Sequence, residues 1–269
     1  MLSTLTLLSR EYVSPNMVRL NFQADSPVFA DAASTDSYIK LVFPADDTLF
    51  PEDTNLRELR ASLPDSEQPR VRTYTIRKVD KSHNIVSVDF VTHDGESLAA
   101  NWAVSAEEGD RIQVAGPGGV YVPDAEAHNL FVVDDAGLPA ALAGIEAIPE
   151  GGRATLFAEV ESPEHTQPVE SRGQVEVVWS YRNGSETSDL VDNVLAWEWP
   201  DIRVRVFAHG ERTTMMQDLR PHFRSHGVGG KDLSVSGYWR RGFDEDAFQV
   251  GKRTDPLVAA ANAEVAQEK

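Results

Sequence analysis

The stretch "RVRTYTIR", beginning at Arg70, places an arginine two residues from a tyrosine in a run rich in β-branched residues. Such a run predicts a strand, and strand alternation puts Arg72, Tyr74 and Ile76 on one face and Val71, Thr73, Thr75 and Arg77 on the other. A guanidinium beside a phenol suits a phosphate and a flat ring, and Thr73 and Thr75 add hydroxyls near a heteroaromatic edge. The same residues also make an ordinary strand with a surface Arg and a half-buried Tyr. "HDGESLAANW" adds His93, Gly95, Ser97, Leu98 and Ala99 at a predicted helix start, where free backbone N–H groups suit a pyrophosphate. "GPGG", Gly116 to Gly119, either lets backbone approach a ligand or simply makes a tight turn. In "VVDDAGLPA" a strand end runs into a helix, a good place for a ligand. That segment lacks G-x-G-x-x-G, and Asp134 and Asp135 repel phosphate, so helix capping by the acids is an equal account. His222 and His226 have the i, i+4 spacing of metal ligands, but no third ligand is nearby and the end of a surface helix is the simpler account. G-x-S-x-G is absent, and no metal is expected.

These residues need elements to hold them. The chain has 269 residues, a formal net charge of −18 and no cysteine. The charge argues against nucleic acid or an anionic membrane as the main partner. The lack of cysteine excludes disulfides, thiolate metal sites and an intrinsic Cys-ligated iron–sulfur cluster, so redox chemistry requires a bound organic cofactor or an N/O-ligated metal. The N-terminus reads as a first strand, not a signal peptide, no run reaches transmembrane length, and the expected compartment is the cytoplasm. Short strands with one inserted helix predict an antiparallel β-barrel over residues 1–124, within which residues 45–69 are expected as a long exposed loop. Strands alternating with helices predict an α/β domain with a parallel sheet over 125–250, including a helix in "DLVDNVLAWEW", and 251–269 is a tail with a possible helix. One part can hold a cofactor while the other brings an electron donor.

The order "RTYTIR", "DFVTHDGESLAANWA", "GDRIQVAGPGG", "DDAGLPA", "GER", "SGYWRRG" resembles the siderophore-interacting protein family, flavin-dependent ferric-siderophore reductases related to the ferredoxin-reductase superfamily. The resemblance runs from the first strands to about Gly242. It implies FAD held by Arg72 at the phosphates, Tyr74 at the flavin and ribityl side, and Thr75 at the isoalloxazine edge, with Thr73 among the cofactor-binding residues. It also implies cofactor contacts from His93, Gly95, Ser97, Leu98, Ala99, Gly116 and Gly118. The family's G-D-E-T-A-L-P-A segment stands here as "VDDAGLPA": Asp134, Leu138, Pro139 and Ala140 fit, whereas Val133, Asp135, Ala136 and Gly137 depart. The departures lie where a nicotinamide donor approaches. Asp134, Arg182 and Glu211 are expected on the electron-donor side, the donor being NAD(P)H or reduced ferredoxin. The implied partner is a ferric siderophore, whose iron is reduced from Fe(III) to Fe(II), and the protein is expected to act as a monomer. Lys40, Arg240 and Arg241 are expected to attract an anionic chelate, with Lys252 and Arg253 as outside candidates. A related flavin reductase with another small acceptor, and a non-catalytic flavin-binding module, remain as alternatives.

Overall fold

The computed structural model of the protein describes residues 1–29, 32, 34–46, 48–92 and 97–243. The chain falls into two compact units, one holding Met1–Val122 and the other beginning at Pro123. The tail and its possible helix, with Lys252 and Arg253, lie outside the described residues, as do His93 and Gly95.

The first unit is a closed antiparallel barrel in the order β1-β2-β5-β4-β3-β6. Its strands are β1 (Leu2–Ser14), β2 (Met17–Ala24), β3 (Tyr38–Phe43), β4 (Arg70–Asp80), β5 (Ile85–Val91) and β6 (Arg111–Gly118). Closure leaves no unpaired sheet edge. Alternation sends Leu20, Phe22, Ile39, Leu41, Val88, Phe90, Ile112 and Val114 into one buried cluster. Each such side chain stabilises the fold by roughly 1.5–3 kcal/mol. The expected loop between β3 and β4 contains a helix, α1 (Leu56–Ser62). Its cap is Asn55, whose side chain accepts from the amides of Arg57 and Glu58, so local capping offsets the disruptive prolines on either side. A second helix, α2 (Leu98–Ser105), brings Ala99, Ala103 and Trp102 against the barrel cluster. Trp102 stacks on Phe22 with ring centroids 6.2 Å apart and meets Phe43 edge-on at 6.3 Å.

The second unit is a five-stranded, wholly parallel sheet in the order β11-β10-β7-β8-β9. Its strands are β7 (His128–Val133), β8 (Arg153–Val160), β9 (Gln174–Tyr181), β10 (Val204–Glu211) and β11 (Leu233–Trp239). Helix α3 (Leu138–Glu146) follows β7, and its Leu138, Ala141 and Ile145 are fully buried. Helix α4 (Leu190–Leu195) is shorter than expected: Trp197 and Trp199 leave it to form an aromatic cluster, 5.2 Å apart. After β10 a π-helical turn, Thr214–Leu219, runs into α5 (Arg220–Ser225), which accommodates Pro221 at its first turn, where no amide is required. No helix among the described residues is long and apolar enough to cross a membrane.

Candidate functional site

In the barrel, β4 carries the residues of interest. Across the β3–β4 ladder Arg72 lies opposite Leu41, and Tyr74 opposite Ile39. Both therefore stand on the apolar side of the strand. The Tyr74 ring sits 4.4 Å from that of Phe90. Arg72 is only 5% exposed, and its Nη1 donates to the Val71 carbonyl at 3.2 Å. This excludes the surface-arginine account. A guanidinium stays charged when buried, so its position requires acceptors around it. Thr73 faces the other way, exposed and opposite exposed Lys40, while Thr75 is buried opposite Tyr38. Gly118 pairs with Tyr38, and a Cβ on it would fall 2.4 Å from the Tyr38 ring. At Gly116 a Cβ would fall 2.9 Å from the Tyr38 carbonyl oxygen. Close packing alone thus accounts for both glycines. At the start of α2, Ser97 has extended backbone and makes no side-chain capping bond, Leu98 is half-buried and Ala99 fully buried.

In the second unit, the residues gather at the C-terminal ends of the strands. Asp134 follows β7 and is 3% exposed. Its Oδ1 accepts from the amides of Ala136 and Gly137 at 2.9 and 3.2 Å, which is the helix cap the sequence suggests. Its Oδ2 accepts from the Glu211 amide and from the Trp239 indole N–H, both at 2.7 Å. Burial pushes the Asp134 carboxyl up to about 6, against the opposing Trp239 hydrogen bond, and the neighbouring Asp135 charge adds to the rise. Gly210 lies beneath this carboxylate, and a Cβ there would stand 2.7 Å from Asp134 Cγ. Glu211 is buried too, accepting from the amides of Thr214 at 2.9 Å and Arg241 at 3.2 Å. One connected set of hydrogen bonds therefore links the ends of β7, β10 and β11.

Arg182 completes a second set. Its guanidinium pairs with Asp135 at 2.6 Å and with Glu159 and Glu161 at 3.2 Å each. Three carboxylates already share the charge of this residue, which was expected on the electron-donor side. Of the cationic candidates past β11, Arg240 is exposed with its guanidinium over the Phe243 ring at 4.4 Å, and Arg241 lies 5.7 Å from the Trp239 ring centroid. His222 and His226 pack as rings: His226 stacks on Trp199 at 4.2 Å, and the two imidazoles lie 4.7 Å apart.

The departures in "VDDAGLPA" have a steric account. A Cβ on Gly137 would stand 2.2 Å from the His209 carbonyl oxygen and 2.9 Å from Val133 Cγ1. Bulk at 133 and a bare Cα at 137 therefore go together. Gly137→Ala should overpack this turn and cost about 1–3 kcal/mol. A melting temperature equal to that of the wild type would show that the turn has room.

Known proteins give this geometry a context. Residues 6–121 match the siderophore-interacting FAD-binding domain, and residues 126–242 match the siderophore-interacting protein domain. An uncharacterised protein of Mycobacterium tuberculosis is 36% identical over 264 residues, covering 92% of this chain and 93% of the relative. The chain belongs to the siderophore-interacting protein family. A siderophore utilization protein from T. fusca, known as a crystal structure, superimposes with a TM-score of 0.78 at 30% identity, covering 91% of this chain and 94% of that one. The NADPH-dependent ferric-chelate reductase of Escherichia coli is 32% identical over 145 residues, which are 54% of this chain and 56% of that protein. This member of the siderophore-interacting family accordingly carries the family's FAD-binding domain in its first unit.

The residues present fit FAD. A pyrophosphate calls for fixed positive charge and free amides. The barrel unit supplies a buried guanidinium on β4 and a helix start whose Ser97 does not cap it. Sequence reading missed the role of Trp239 and the Glu159–Glu161 pair. "HGER" carried a trace of the first set, since Gly210 is the bare position that a buried carboxylate needs.

Proposed function

We propose that the protein is an FAD-dependent ferric-siderophore reductase, working in the cytoplasm and releasing iron by reduction of Fe(III) to Fe(II). The observation that carries this reading is the buried Arg72 beside Tyr74 on β4, inside the matched FAD-binding domain. Bound FAD would supply the capacity to take electrons in pairs and pass them on singly. Arg72 binds its phosphates, helped by the amides at Gly95, Ser97, Leu98 and Ala99 and by His93. Tyr74 lines the ring and ribityl side. Thr73 and Thr75 offer hydroxyls along the ring edge, and Gly116 and Gly118 permit close backbone approach. On the donor side, Asp134 and Glu211 fix the ends of β7, β10 and β11, and Arg182 fixes three carboxylates. The donor is NAD(P)H or reduced ferredoxin. No residue is assigned acid–base work, because hard-oxygen chelation weakens once Fe(III) gains an electron.

Lys40, Arg240 and Arg241 attract the chelate. In a chain of net charge −18, local cations are needed to hold an anionic partner. Because Arg240 is exposed, its contact is worth about 0.2–1 kcal/mol and acts mainly through the on-rate. Arg240→Ala should therefore slow reaction with an anionic ferric siderophore by up to about fivefold at low salt. The effect should shrink at high salt and be small with a neutral ferric chelate. Stopped-flow reoxidation of the photoreduced protein by both acceptors tests this. Equal losses for the two would remove Arg240 from the substrate site.

A further inference from the structure

The barrel is closed, so among the described residues the sheet edges are the two flanks of the parallel sheet, β11 and β9. The register of β11 against β10 shifts near Trp239, and its sequence carries Ser234, Ser236 and Gly237. By contrast, β9 runs eight residues with no proline, no glycine and no register shift against β8, and its one charge is Glu176.

The amides of Gln174 and, just past the strand, Arg182 donate to the carbonyls of Gly152 and Val160 on the β8 side. Strand alternation therefore turns the backbone of the even-numbered residues toward β8. The backbone of Val175, Val177, Trp179 and Tyr181 faces outward, and its amides and carbonyls have no hydrogen-bond partner among the described residues. Such an unpaired row is a template for a further strand. The side chains of the same four residues share one face of the strand, and all four are half-buried. One more strand would extend this apolar stripe.

We propose that β9 pairs with the β9 of a second copy of the chain, antiparallel about a two-fold axis at Val178, joining the two five-stranded sheets into one. The strand is complementary to itself in this register. Residues opposed in an antiparallel pair either both turn their backbone to each other or both turn it away, so odd positions meet odd and even meet even. An axis at Val178 sets Val177 against Trp179 of the other copy, Val175 against Tyr181, and Glu176 against Ser180. Every outward amide and carbonyl of the strand is then paired. Both hydrogen-bonded combinations set a β-branched residue against an aromatic one, a favourable cross-strand pair. An axis at Glu176 would oppose two carboxylates. Axes at Val177 or Trp179 would leave Tyr181 or Val175, respectively, with no strand residue opposite. The formal charge of −18 on each copy opposes association at longer range, and salt screens it. The dimer departs from the monomer expected from the sequence and stands independently of the reductase reading.

The test is sedimentation velocity of the full, FAD-loaded chain over a concentration series. The sedimenting species should approach twice the chain mass as concentration rises, and association should strengthen with added salt. Val177→Pro removes an outward amide and leaves the bonds to β8 in place, so it should weaken dimerisation by at least about tenfold. Melting curves and flavin content establish that the variant folds. A second variant reads the register without disturbing the backbone. The chain has no cysteine, so Val178→Cys carries a single thiol at the axis. There two-fold mates in a non-hydrogen-bonded pair stand about 4.5 Å apart at Cα, within disulfide range. In Glu176→Cys the two thiols lie four residues apart along the ladder, roughly 13 Å, and should not join. Faster cross-linking at 178 than at 176 under mild oxidation is the expected result. A wild type that stays monomeric across the series overturns the proposal. So does a dimer that Val177→Pro leaves unchanged, or cross-linking no faster at 178 than at 176. A monomer whose outward β9 amides are nonetheless protected from hydrogen exchange has this edge covered by its own chain, and that too overturns it.

Discussion

Arg72→Ala is expected to weaken FAD binding by about ten- to a hundredfold, the equivalent of roughly 1.5–3 kcal/mol for a hydrogen bond to a charged group. The size follows from burial. At 5% exposure, Arg72 is screened little by water, and a phosphate partner meets its full charge. Arg72→Lys should fall between the two, since it keeps the charge but loses the planar fork. Flavin retained through gel filtration, and fluorescence titration of the stripped protein with FAD, measure the effect. The cavity left by truncation also lowers stability, so melting of the flavin-free proteins is compared in parallel. An Arg72→Ala protein as yellow as the wild type at equal dilution would remove Arg72 from the cofactor site.

Asp134→Asn should be the more damaging change for the second unit, costing about 2–4 kcal/mol. All four groups that Asp134 accepts from are N–H donors: the amides of Ala136, Gly137 and Glu211, and the Trp239 indole. An asparagine amide turns its own NH₂ toward two of them and leaves buried donors unpaired. The indole should then detach, and Trp239 fluorescence should shift to the red. The pH dependence has a definite sign. Burial raises the Asp134 carboxyl to about 6, above the ordinary aspartate value of 3.8, so the folded state binds more protons between those values. Its contribution to stability is full below about pH 4 and is lost as pH rises through 6. The stability gap between wild type and Asp134→Asn should therefore widen from pH 7 to pH 5. A gap that narrows would mean that the hydrogen bonds outweigh desolvation.

How much of this was legible depends on distance along the chain. The two-residue alternation in "RVRTYTIR" was enough to put Arg72 and Tyr74 on one face, because strand geometry is local. The barrel and the parallel sheet followed from the change, near residue 125, from short strands to strands alternating with helices. The α1 helix was hidden by Pro51 and Pro64, although Asn55 followed three residues later by Glu58 is a capping signal. The partnership of Trp239 with Asp134 spans 105 residues, and nothing in either neighbourhood announces it. Arg182 was picked out as a cation, but its three carboxylates arrive from the end of β7 and from β8, and only the sheet order brings them together. The burial of Arg72, which excludes a surface charge, is likewise a property of barrel closure.

The measurement that bears most directly on the central claim is anaerobic reaction of the photoreduced, FAD-loaded protein with a ferric siderophore in the presence of a ferrous-iron trap. Flavin absorbance and trapped iron are followed together. Reoxidation of the flavin with about two Fe(II) formed per FAD is the predicted result, one for each electron held. A flavin that stays reduced in excess ferric siderophore, yet is reoxidised promptly when oxygen is admitted, would contradict the reading of this protein as a ferric-siderophore reductase.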